Sequence, residues 1–193
     1  MEYFYSIQGE GFHQGKPAFF IRLAGCDVGC VWCDVKESWD ENKHPRLSIS
    51  FLVDEAVKSG TKIVVITGGE PLMHNLDALT TELKKAGLQT NLETSGSHPL
   101  TGKWDWICLS PKKFKAPIAE NCSVANELKV VVFNKSDFDW AEKYAALTNQ
   151  DCKLYLQPEW DKSKEVTNLI VDYIQKNTKW TLSLQIHKYL NLQ

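Results

Sequence analysis

The alternation of short strand-like runs with helical stretches along nearly the whole chain most constrains its fold. Apolar, β-branched runs at residues 18–23, 63–67, 89–93, 106–109, 127–133, 153–157 and 181–186 read as strands. Between them, apolar residues recur at helical spacing. Ile49, Leu52, Val53, Ala56 and Val57 form one stripe, closed by Gly60. Leu76, Leu79, Leu83 and Ala86 form another, with Asn75 expected as N-cap and Gly87 past the end. Ser136 is expected to cap a helix carrying Phe138, Ala141, Tyr144 and Ala145, and Val166, Leu169, Ile170, Tyr173 and Ile174 make the fourth stripe. Repeated βα units predict a parallel sheet. A closed eight-stranded βα barrel needs about 250 residues, and this chain has 193. The expected architecture is therefore α/β: an incomplete, open βα barrel of about six to seven mostly parallel strands with outer helices. With 43% apolar residues the chain can bury one core, so residues 1–193 are expected to form a single domain. Stretches 40–46 and 111–126 read as loops over one end.

In parallel βα folds the site forms at the carboxyl ends of the strands. Arg22 and a cysteine-rich loop follow the first run, and Thr67-Gly68-Gly69-Glu70-Pro71 follows the second. Glu93-Thr94-Ser95-Gly96 follows the third, Ser110-Pro111-Lys112 the fourth and Gln157-Pro158-Glu159 the sixth, while Gln185-Ile186-His187 ends the last. These clusters should meet in one site.

The loop carries Cys26, Cys30 and Cys33 at CxxxCxxC spacing. A structural zinc site normally takes four protein ligands, and an electron-carrying cluster usually takes four cysteines. Three thiolates point instead to a 4Fe–4S cubane with one iron open to a small chelate, the amino and carboxylate groups of S-adenosylmethionine. The spacing resembles that of the radical S-adenosylmethionine superfamily. Disulfides fit poorly, because the triplet is crowded and Cys108, Cys122 and Cys152 are scattered singly. Zinc held by the three cysteines and His44 is an alternative that explains none of the other motifs. Gly68-Gly69 lets another molecule approach the backbone, although a plain strand–helix turn has the same signature. Beside the cysteines it matches the superfamily's GGEP motif, which contacts the methionine amino group.

The string from Gln8-Gly9-Glu10-Gly11 through Arg22 and the cysteines to Leu184-Gln185-Ile186-His187-Lys188 resembles the 7-carboxy-7-deazaguanine synthase family across nearly the whole chain. The resemblance implies conversion of 6-carboxy-5,6,7,8-tetrahydropterin to 7-carboxy-7-deazaguanine with loss of ammonia, in deazapurine and queuosine biosynthesis. It implies that Cys26, Cys30 and Cys33 hold the cluster. Trp32, Cys33, Asp34, Gly69, Ser110, Pro111, Lys112 and Gln157 would line the S-adenosylmethionine site. Ile7, Gln8, Gly9, Glu10, Arg22, Thr67, Gln185, His187 and Gln193 would bind the pterin, with Glu10, Arg22 and His187 as the catalytic set. Side-chain chemistry agrees in part: Gln8, Glu10 and Gln185 can read a heterocycle edge, and Arg22 can bind a carboxylate in bidentate fashion. His13, His44, His74 and His98 read as solvated loop or helix-end residues.

One departure concerns magnesium. The family usually has threonine after Cys-Asp, its hydroxyl helping to hold Mg2+, whereas this chain reads Cys33-Asp34-Val35. Magnesium takes oxygen ligands, so either water, Asp34 or the substrate holds the ion, or a nearby group such as Lys36 or Ser38 replaces it. The net charge of −2 and the lack of a block of like charge argue against a nucleic-acid partner. No apolar run is long enough for a membrane span, and the first residues lack a signal-peptide pattern. Expected partners are the pterin, an electron donor such as a flavodoxin or ferredoxin, and a second copy in a homodimer, in a reducing cytoplasm. The rival readings are a radical activase acting on a partner protein and a non-catalytic iron–sulfur or zinc protein.

Overall fold

Strand residues alternate between two faces, and in this chain the alternation separates helix-covered core from barrel interior. The structure is a computed structural model describing residues 1–192. Its strands are β1 (Glu2–Ile7), β2 (Pro17–Leu23), β3 (Ile63–Gly68), β4 (Gln89–Thr94), β5 (Trp106–Leu109), β6 (Glu127–Val132), β7 (Lys153–Pro158) and β8 (Trp180–Leu182). They form one eight-stranded sheet in sequence order. β2 to β8 run parallel, and β1 is antiparallel to β2. The helices are α1 (Ile49–Lys58), α2 (Asp77–Lys85), α3 (Ala119–Ser123), α4 (Ser136–Ala145), α5 (Ser163–Lys176) and α6 (Ile186–Tyr189).

Phe19, Ile21, Val64, Ile66 and Leu92 pack outward with Leu52, Ala56, Leu79 and Leu83 of α1 and α2. Leu128, Val130, Val132 and Leu156 pack with Ala141, Tyr144, Val166 and Ile170 of α4 and α5. The inward partners Ala18, Phe20 and Val65 form a small apolar cluster with Phe4 beside it. The same strands then place Arg22, Thr67, Glu93 and Lys129 around a cavity.

The open barrel is as expected, with differences in its parts. β1 was not expected: Tyr3, Phe4 and Tyr5 favour strands, and the edge of β2 offers them a ladder, Glu2 opposite Arg22 and Ile7 opposite Pro17. β8 ends at Leu182 rather than at residue 186, and the chain turns into α6. β1 and β8 remain separate edges. The β1–β2 loop lies in the seam, where Ile186 N donates to Gly9 O at 3.0 Å and Gly11 N donates to Ser183 Oγ at 3.0 Å.

Both expected caps shift. Asn75 Oδ1 accepts from Asp77 N at 2.9 Å, but Leu76 occupies the cap position of α2. Ser136 is inside α4, whose cap position falls on Lys135 without a side-chain bond, while Asp137 Oδ2 accepts from Phe133 N and Asn134 N of the preceding turn. The stretches read as loops contain α3 and a single 3-10 turn at Glu41–Lys43. Among the described residues no helix is long and apolar enough to cross a membrane.

Candidate active site

The polar motifs that end β2, β3, β4, β5 and β7 converge with Gln185 and His187 on one cavity of about 270 Å3. Cys26, Cys30 and Cys33 lie on its wall and are unpaired, like the other three cysteines. Their loop is anchored from several directions. Gly25 N donates to Ser38 O at 2.6 Å, and Cys26 N donates to Trp39 O at 3.3 Å. His74 Nε2 bonds Ala24 O at 2.7 Å, and Asp27 takes Lys115 Nζ at 2.6 Å and His98 Nε2 at 3.0 Å. Lys188 of α6 pairs with Asp34, tying the C-terminal segment to the cysteine loop.

Close approach explains the glycine pair. A Cβ on Gly69 would lie 2.2 Å from Gly25 O, so the β3 exit must pass against the cysteine loop without a side chain. Gly69 N donates to Leu23 O at 2.9 Å, and Glu70 N donates to Gly25 O at 2.8 Å. The first molecule Gly69 admits is thus the protein's own loop, and its carbonyl is the group left for a ligand. Glu70 is buried and satisfied: Leu72 N and Thr94 Oγ1 donate to one carboxylate oxygen, Ser95 N and Oγ to the other. It clamps the β3 exit to the β4 exit.

Gln8 and Glu10 reach the interior from the β1–β2 loop, at the opposite end of the strands. Lys129 Nζ donates to Glu10 Oε2 at 2.6 Å and to Glu93 Oε2 at 2.8 Å. Gln8 Nε2 donates to Glu93 Oε1 at 3.1 Å, and Gln185 Nε2 to Glu10 Oε1 at 2.9 Å. Burial alone would raise the Glu10 pKa, but Lys129, Gln185 and His187 overcome it and hold the group at about 2. Burial lowers the His187 pKa, so its ring is mostly neutral near pH 7. A Cβ on Gly9 would lie 2.1 Å from His187 Nδ1, so that ring can sit over the loop only because residue 9 is glycine.

Arg22 lines the cavity and carries a carboxylate of the chain itself: its NH1 donates to Glu2 Oε1 at 2.9 Å, with Phe4 beneath the guanidinium. Ile7, Thr67, Trp32, Ser110, Lys112 and Gln157 also line the cavity. Pro111 does not; it is buried, and its carbonyl accepts from Trp140 Nε1. Gln193 lies outside the described residues. Sequence reasoning placed Glu93 in the cluster after β4 without giving it a role, and it assigned no role to Lys129, Lys188 or Trp160. The available signal was strand alternation: Glu127, Lys129 and Val131 share the inward face of β6, and a lysine inside an otherwise apolar strand needs a buried partner.

The donor set suits a 4Fe–4S cluster: three thiols on one loop, each to bond a different iron, facing a cavity with room for a fourth ligand. Burial raises the thiol pKa of Cys26 and brings that of Cys30 to about 11, so ligation must displace protons. Among the described residues no group of three or more His, Cys, Asp or Glu is placed to hold a single metal ion, and His44 Nε2 is bonded to Glu37 O at 2.8 Å.

An open βα barrel with such a cysteine loop at the strand ends defines the radical S-adenosylmethionine class, and the model of the Radical SAM superfamily matches residues 20–109. That class is built around a 4Fe–4S cluster and S-adenosylmethionine. The 7-carboxy-7-deazaguanine synthase of Flavobacterium psychrophilum is 55% identical over 100% of this chain and 91% of its own length. That of Synechocystis is 52% identical over 100% and 92%. The crystal structure of QueE from Escherichia coli superposes with a TM-score of 0.83 at 33% identity, covering 95% of this chain and 92% of that one. The chain belongs to the 7-carboxy-7-deazaguanine synthase family.

Proposed function

We propose that this protein converts 6-carboxy-5,6,7,8-tetrahydropterin to 7-carboxy-7-deazaguanine with release of ammonia. The observation that carries the reading is that one cavity is lined by the three cysteines together with Arg22, Gln8, Glu10 and Gln185. When bound, the cluster and S-adenosylmethionine supply one-electron reductive chemistry at the cysteine side. Cys26, Cys30 and Cys33 would hold the cluster, and the Gly69 carbonyl would take the ammonium of S-adenosylmethionine. Trp32, Asp34, Ser110, Lys112 and Gln157 complete that subsite, with Pro111 supporting it from behind. Arg22 exchanges Glu2 for the substrate carboxylate, while Glu10, Gln8 and Gln185 take the pyrimidinone edge beside Ile7, Gly9, Thr67 and His187. The chain positions these groups and keeps water out of the reaction. Anaerobic turnover with the pterin tests the assignment: S-adenosylmethionine cleavage without the deazaguanine product would refute it.

Magnesium would bind near the substrate carboxylate through water and substrate oxygens. Asp34 is committed to Lys188, and Ser38 Oγ donates to Val35 O at 2.6 Å. Val35 borders the cavity without an oxygen to offer. Val35→Thr is expected to raise magnesium affinity and leave the cluster spectrum unchanged. Activity titrated against magnesium after chelation checks this; identical titrations in both proteins would exclude residue 35 from metal use.

On the same reading residues 1–193 act as one cytoplasmic domain that takes electrons from a flavodoxin or ferredoxin and works as a homodimer. The open edges at β1 and β8 motivate the dimer. Its mass in solution should be twice the 22.0 kDa of one chain, and a monomer at all concentrations would refute it.

A further inference from the structure

Lys129 is the least exposed lysine of the cavity floor, its side chain 4% accessible, and its ammonium touches two carboxylates from distant parts of the chain. Glu10 comes from the β1–β2 loop and Glu93 from the end of β4. Each carboxylate also has one amide donor, Gln185 on Glu10 and Gln8 on Glu93. Two carboxylates this close would ordinarily share a proton, because like charges on neighbouring groups oppose double ionisation.

We infer that Lys129 is a positioning residue that holds Glu10 and Glu93 together as paired ionised acceptors, and that this pair selects a substrate edge carrying N–H donors. The inference rests on the proposed function for the identity of that edge, the pyrimidinone side of the pterin. An ionised carboxylate only accepts hydrogen bonds, whereas a protonated one presents a donor. With both floor groups ionised, a ligand edge of donors is matched and an edge of acceptors is rejected. Unpaired buried polar groups make that discrimination large.

Other charged and titratable groups face the triad. Glu127 lies on the same strand, Cys108 on β5 and Lys112 on the loop after β5; His187 approaches Glu10 from the C-terminal segment. Tyr155 of β7 faces Glu127 and Cys108. Glu127 does not contact the ammonium directly; it accepts from Trp106 Nε1 at 3.0 Å and from Phe12 N at 3.2 Å. Burial raises its pKa to about 7, with Lys129 opposing and Glu93 adding to the shift. Lys129 is thus engaged first by the two carboxylates at the cavity.

The test measures equilibrium binding of the carboxytetrahydropterin to the anaerobically reconstituted protein between about pH 6 and pH 8. Apart from the shallow dependence that Glu127, with a pKa of about 7, gives every variant, wild-type affinity should be nearly flat across that range. In Lys129→Met the carboxylates share a proton, so affinity at the acid end should fall by about 30-fold or more and recover as pH rises and the proton leaves. The added slope should vanish in Lys129→Met/Glu93→Gln, where the Glu10–Glu93 pair is gone. Lys129→Arg, which keeps the charge, should be as flat as wild type and within about fivefold of it. A pH-independent loss in Lys129→Met, or the added slope surviving in the double variant, would overturn the inference. If Lys129→Met does not fold, Lys129→Arg decides alone: a profile as flat as wild type supports the charge role and a steeper one overturns it. Wild-type protein that does not bind the pterin overturns the proposed function together with this inference. Pterin binding that Lys129→Met leaves unaltered overturns this inference only.

Discussion

Cys30→Ala protein purified and reconstituted without oxygen is expected to be colourless and unable to cleave S-adenosylmethionine. Cys108→Ala and Cys152→Ala proteins should retain the cluster. The contrast follows from position. Cys30 faces the cavity with Cys26 and Cys33, whereas Cys108 lies inside β5 and Cys152 packs in the core beneath α4 and α5. A cubane left with two of its three protein ligands loses one of its anchors to the loop. Iron and sulfide content with the visible absorption spectrum checks the outcome. A brown Cys30→Ala protein alongside a colourless Cys108→Ala or Cys152→Ala protein would reverse the ligand assignment.

Arg22→Ala is expected to weaken pterin binding by about 2–5 kcal/mol, or roughly 30- to 4,000-fold, the usual cost of truncating one side of a buried charge pair. The fold should survive, because the pair with Glu2 is partly exposed and such pairs contribute only about 0–1 kcal/mol. The two magnitudes separate the roles: a binding defect far larger than any change in thermal midpoint places Arg22 on the substrate. If Arg22 must release Glu2 to take the substrate, Glu2→Gln should tighten binding modestly. Calorimetric binding to the reconstituted protein measures both variants, and an Arg22→Ala affinity equal to wild type would remove Arg22 from the site.

Much of the site was legible because its groups fall at strand ends, and a parallel βα order sends every such end to the same side. CxxxCxxC, Gly68-Gly69, Ser110, Lys112 and Gln157 could be placed together for that reason. Pro111 shares its neighbours' segment but is not among the residues that line the cavity, a distinction that spacing cannot show. β1 was hidden, and β8 was expected to run on to residue 186, for a related reason. Tyr3-Phe4-Tyr5 and Trp180-Thr181-Leu182 are strands only because β2 and β7 supply their ladders.

Strand–helix periodicity and three local thiols determined from sequence alone the βα architecture, the end that bears the site and the cluster-binding loop. These depend on side-chain period and on residues a few positions apart. Tertiary structure alone decided the floor. Gln8 and Glu10 enter through the seam of the open barrel, Glu93 arrives from β4, and Lys129 from β6 joins them, 119 and 36 residues distant in the chain from Glu10 and Glu93. A buried ammonium persists only where opposite charges compensate its lost hydration. No local pattern specifies which distant carboxylates will meet it, so that choice belongs to the folded barrel.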